Sequence, residues 1–70
     1  MKLTVTLRRD ENAAVIVECP AMPGCVSQGA TETQAMANIR EAIKLCLEAR
    51  AAEGLPLTVA TREIEVDLPR

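Results

Sequence analysis

The hydrophobic period of this sequence changes once, at Thr31. Upstream, apolar residues tend to fall at alternate positions; downstream they recur three or four apart until Gly54 and Pro56 end the pattern. Short strands must therefore come first and one long helix after them. Residues 2–8, KLTVTLR, put Leu3, Val5 and Leu7 on one face and Lys2, Thr4, Thr6 and Arg8 on the other, the alternation of a half-buried strand. RDEN supplies turn formers. AAVIVEC then gives a second strand that is apolar on both faces, with Ala14 and Ile16 alternating with Val15 and Val17. Such a strand is central, and its spare face needs a cover. CVSQG is long enough for a third short strand before Gly29.

Thr31 and Gln34 have the spacing of a capping box, in which the threonine oxygen accepts from the N–H three residues on and the glutamine reaches back. The helix runs from there to about Glu53, with Gly54 as the residue after its C-cap and Pro56 preventing resumption. At about 100° per residue, Ala35, Ile39, Ala42, Cys46 and Ala49 form one stripe with Ile43 beside it, opposed by Arg40, Glu41, Lys44 and Glu48. Met36 and Leu47 widen one shoulder and Leu45 the other. So wide a stripe fits either a helix generously covered by its own sheet or one that keeps a shoulder for a second chain. LPLTVATR leads to EIEVDL, where Ile64, Val66 and Leu68 alternate with Glu63, Glu65 and Asp67 as in a last strand. The expected fold is α+β in the order β-β-β-α-β: a small three- to four-stranded sheet with one helix packed across one face, a single domain over residues 1–70.

A 70-residue chain buries only about 60% of the surface it exposes when unfolded. This one has no Phe, Tyr or Trp, so its core is made of smaller side chains. Self-association is the simplest remedy. The interface positions are Ala14 and Ile16 on the spare sheet face and Leu45 and Leu47 on the helix shoulders, in a homo-oligomer of two or more chains. A formal charge of −2 and the lack of aromatics to stack on bases argue against direct nucleic-acid binding. The N-terminus has no signal-peptide core and no apolar run approaches membrane-spanning length, so the expectation is a cytoplasmic protein without membrane contact.

The most constrained stretch is CPAMPGCVSQGAT, residues 19–31. Pro23-Gly24 suits the central positions of a type II turn, since proline presets the first φ and glycine takes the second without strain. Pro20, lacking an N–H, suits a strand end or an exposed edge. Ala21 and Met22 either project from this corner or, for Met22, tuck over the helix. Catalysis by Cys25 or Ser27 would need a base, and the chain has no histidine. Cys19 and Cys25 lack the close spacing of a zinc site, and Cys46 lies in the inward helix stripe; Cys19 and Cys25 could face each other across the turn as a disulfide, but free thiols are the default, and no metal is implied. Glu63, Glu65 and Asp67 share a face that could hold a divalent cation; a last strand beside the first would instead pair them with Lys2 and Arg8. No catalytic residue and no cofactor are assigned.

VECPAMPGCVSQGATETQAMANIREAIKLCLEA, about half the chain, resembles the N-terminal domain of HicB-type antitoxins. The matching positions are Glu18, Pro20, Pro23, Gly24, Cys25, Gly29, Thr31, Ala35, Glu41 and Ala42. The resemblance implies a truncated ribonuclease-H-like fold, with strands in the spatial order 3-2-1-4 and the last parallel to the first. It also implies a role in neutralising a small basic HicA-type RNase toxin by direct binding, rather than an enzymatic one. The corner is expected to be first of all structural; if it also meets a partner, the contact surface is Pro20, Ala21, Met22, Pro23 and Gly24, with Ala21 and Met22 foremost. Two departures stand out: Cys19 where the family often has an aromatic, and Ala30 where it often has Asp. The helix-turn-helix or ribbon-helix-helix segment that often follows this domain is not expected here. The alternatives are a metal-dependent nuclease using Glu63, Glu65 and Asp67, or a stand-alone small-molecule-binding or scaffold domain.

Overall fold

The computed structural model describes residues 1–69. It contains β1 (Thr6–Arg9), β2 (Val15–Glu18), β3 (Val26–Gly29) and α1 (Glu32–Ala52). The strands form one antiparallel sheet in the order β1-β2-β3, so the strand that is apolar on both faces is central. Val17 stands between Leu7 and Ser27, and Ile16 between Arg8 and Gln28. The first register faces the helix and the second faces away.

β1 begins at Thr6 rather than at Lys2. Thr6 opposes Glu18, the last residue of β2, and the chain then turns through Pro20, which has no N–H to extend the ladder. The β1–β2 connection is wound around Asp10. One of its carboxylate oxygens accepts from the N–H groups of both Asn12 and Ala14 at 2.9 Å, the local bonding that makes Asp a turn residue. Ala13, expected within β2, instead takes φ 63° to finish this turn.

The helix has the predicted ends. Thr31 Oγ1 accepts from the Gln34 N–H at 3.2 Å, and Gln34 Oε1 accepts in return from the Ala30 N–H at 3.0 Å, one residue further back than the usual reciprocal bond. At the other end the Gly54 N–H donates to the Ala51 carbonyl and the Leu55 N–H to the Arg50 carbonyl, with Gly54 at φ 70°. That is a Schellman stop. The helix sits close to β3 because Gly29 has no side chain: a Cβ there would lie 2.6 Å from the Ala35 nitrogen. Asn38 adds a tie, donating to the Gln28 carbonyl at 2.8 Å.

The core is Val15, Val17, Cys19, Met22, Cys25, Ala35 and Ile39. It lies under the first half of α1. A helix of 21 residues is about 31 Å long, whereas four-residue strands span only about 13 Å. The helix therefore overruns the sheet, which is why Ala49, in the predicted stripe, is exposed.

The expected fourth strand is not formed. Residues 60–69 have no strand ladder, and the sheet ends at β1. The Val59 N–H donates to the Ala21 carbonyl at 2.7 Å, tying the chain to the β2–β3 corner instead of to the β1 edge. Beyond Glu63 the chain is an arm, with Ile64, Val66 and Leu68 84%, 70% and 87% exposed.

Candidate functional site

The corner between β2 and β3 is built from two consecutive β-turns, each with proline in its second position. In the first the Met22 N–H donates to the Cys19 carbonyl at 3.0 Å; in the second the Cys25 N–H donates to the Met22 carbonyl at 2.9 Å. Gly24 has φ 85°, as the third position of a type II turn requires. The Cys19 N–H closes the pair by donating to the Cys25 carbonyl at 3.0 Å. Prolines set two φ angles in advance, so little entropy remains to be lost when the corner forms.

Two turns in series place Cys19, Met22 and Cys25 on the inside. All three are buried in the core, and Met22 is among its largest fully buried side chains. The reading of Met22 as a projecting contact residue is therefore corrected: it anchors the corner from beneath. Pro20, Pro23 and Gly24 are exposed and Ala21 is half-buried. These four make an uncharged knuckle held by the two turns.

The thiols are free. Burial, a hydrogen bond with Cys46 and the neighbouring Cys46 and Cys19 thiols push Cys25 up from 9.0 to about 11. A thiol held in that state is a poor nucleophile at neutral pH. Glu63, Glu65 and Asp67 lie along the unpaired arm. Among the described residues, no three His, Cys, Asp or Glu side chains are grouped so as to hold a metal ion.

The expected association residues fall in different settings. Ile16, on the sheet face away from the helix, is only 9% exposed, with Arg8 and Gln28 as its cross-strand neighbours. Arg8 also reaches Glu18 across this face at 3.7 Å. Ala14 is half-buried beside the Asp10 turn. Leu45 is 66% exposed on the overrunning half of the helix. Leu47, half-buried, lines a groove of about 290 Å³ between the N-terminal segment and α1, together with Met1, Leu3, Val5, Met36 and Ile43. The sequence contained all of these apolar residues, but only the offset of the helix toward β3 shows that they form one groove.

A family model described as the HicB-like antitoxin of the bacterial toxin-antitoxin system matches residues 3–68. The chain belongs to this family. A UPF0150 protein of Thermoplasma acidophilum is 46% identical over 48 residues, covering 69% of this chain and 70% of the relative. One from Synechocystis sp. is 39% identical over 62 residues, covering 89% and 90%. Another from Archaeoglobus fulgidus is 34% identical over 50 residues, covering 71% and 72%. No solved structure is a significant match. In this HicB-like antitoxin most of the residues that carry the resemblance shape the corner and the helix start: Pro20, Pro23 and Gly24 form the double turn, Gly29 admits the helix, Thr31 caps it, and Cys25 and Ala35, the latter in the first turn of α1, are buried in the core. Among the described residues, no helix is long and apolar enough to cross a membrane.

Proposed function

We propose that this antitoxin-family chain neutralises a small, basic RNase toxin of the HicA type by binding it directly, as a cytoplasmic homo-oligomer with no catalytic role of its own. The observation that carries the reading is the family match over residues 3–68. Two features of the molecule support it. The net charge of −2 favours encounter with a basic partner and disfavours nucleic acid. The Pro20–Gly24 knuckle is pre-formed, with Pro20, Pro23 and Gly24 exposed and Ala21 half-buried over the Met22 anchor, so docking against it costs little ordering entropy.

The test is co-expression with the small basic protein encoded beside it, followed by copurification and growth measurement. The chain binds that protein and restores growth that the toxin alone arrests. Ala21→Arg, which sets a cation against a basic partner, weakens binding at least tenfold while leaving the melting temperature within a few degrees. Absence of binding and of growth rescue contradicts the proposal; binding undisturbed by Ala21→Arg moves the contact surface away from the corner.

A further inference from the structure

The arm and the outer edge of β1 are two unfinished surfaces of opposite kind. From Ile64 to Leu68 the arm alternates apolar and acidic side chains, and its apolar residues are almost fully solvent-exposed. β1 is an edge strand, paired with β2 on one side only. Its N-terminal extension alternates in the same way but with the opposite charge: Leu3, Val5 and Leu7 on the helix side, Lys2 and Arg8 on the other. The helix is displaced toward β3, so the layer beside β1 is left open and forms the groove between Leu3, Val5, Met36, Ile43 and Leu47, which Arg40 and Lys44 also line.

The arm does not fill that place in its own chain. After Val59 is tied to Ala21, Thr61 and Glu63 still lie beside Lys2, Leu3 and Thr4; beyond Glu63 the chain leaves the body, and the described residues measure 48 × 32 × 19 Å with a radius of gyration of 14.3 Å, against about 11 Å for a compact chain of this length. A projecting, period-two segment on a molecule whose β1 edge is unpaired over Thr6–Arg9 is self-complementary under a two-fold axis.

We propose that the arm, residues 63–68, adds as a strand to the β1 edge of a second copy of this chain, reciprocally. Ile64, Val66 and Leu68 enter the layer of Leu3, Val5 and Leu7 and cover the groove, while Glu63, Glu65 and Asp67 lie on the face of Lys2 and Arg8. Apolar residues on one side and opposite charges on the other fix which face of the arm turns inward. The inference specifies how the proposed homo-oligomer is built and needs no toxin, so it is tested apart from neutralisation.

The experiment is a charge exchange between two variants. One carries Lys2→Glu and Arg8→Glu, so that edge and arm are both acidic; the other carries Glu63→Lys, Glu65→Lys and Asp67→Lys, so that both are basic. By light scattering at tens of micromolar the natural chain is a dimer, and each variant alone is a monomer with unchanged far-ultraviolet helix signal. An equimolar mixture regains the dimer, and native mass spectrometry identifies it as one chain of each kind. A natural chain that is monomeric overturns the proposal, as does a dimer that survives in both variants. So does a mixture that stays monomeric, because an arm folded back on its own β1 gains nothing from a second chain. Val66→Asp in the natural background supplies an independent check: dimerisation weakens at least tenfold, and an unchanged dimer places the interface elsewhere.

Discussion

The corner at residues 19–25 and the arm at residues 63–68 are both rich in apolar residues, yet they have opposite physical states. In the corner every turn is closed by a backbone hydrogen bond and three side chains point into the core. In the arm there is no ladder, and the three apolar side chains face solvent. The difference lies in how far each must reach for partners. The corner satisfies itself within seven residues, through two proline turns and a glycine at positive φ. The arm has strand periodicity, and a strand holds only when another edge accepts it. One region is a finished part of the fold, the other a strand pattern without a partner.

Removing the anchor of the corner has the largest expected effect. Met22→Ala should cost about 2–5 kcal/mol, since it leaves a cavity in a core too small to collapse around it; chemical denaturation measures this, and a loss below about 1 kcal/mol would mean that Met22 does not hold the corner. The next effect is a pH dependence confined to the corner. Cys25 is raised in the folded state, so the unfolded chain ionises first as pH rises above 9.0 while the folded thiol stays neutral until about 11. Stability is therefore unaffected by this group at neutral pH, falls across that interval by up to about 1.4 kcal/mol per unit, and levels off beyond it. Cys25→Ala should remove this fall, and a natural chain with flat stability from pH 9.0 to 11 would show that the thiol is not desolvated.

A smaller loss, about 1 kcal/mol, is expected for Gly24→Ala. Space for the added Cβ is open there, with nothing within 4 Å, so the cost comes from φ 85° alone. Thermal unfolding reads it, and a neutral result would mean that the second turn changes type without penalty. The smallest effect belongs to the arm. At concentrations low enough to keep the chain monomeric, Leu68→Ser should change stability by less than about 0.5 kcal/mol, as for an exposed position without partners. A larger loss in the monomer would mean that the arm folds onto its own body.

What could be read in advance follows the same division between local and distant partners. The Thr31 cap, the Gly54 stop and the Pro23-Gly24 turn depend on residues within four or five positions, and all are formed as the sequence indicates. The central place of β2 was legible from its two apolar faces. The inward direction of Met22 was not fixed by its type, because it follows from two turns in series; the spacing of Cys19, Met22 and Cys25, three apart, was the available signal. The exposure of Ala49 reflects the length of the helix against that of the strands, which a helical projection does not contain. EIEVDL has a genuine strand pattern, but a pattern does not specify whose edge it joins.

Amide hydrogen exchange followed over a dilution series tests this contrast most directly. The Cys19, Met22 and Cys25 amides are expected to stay protected at every concentration, while one alternate set of arm amides, either Ile64, Val66 and Leu68 or Glu65 and Asp67, is protected at tens of micromolar and loses that protection on dilution. An arm that exchanges freely at all concentrations, or one equally protected at all of them, would contradict that expectation.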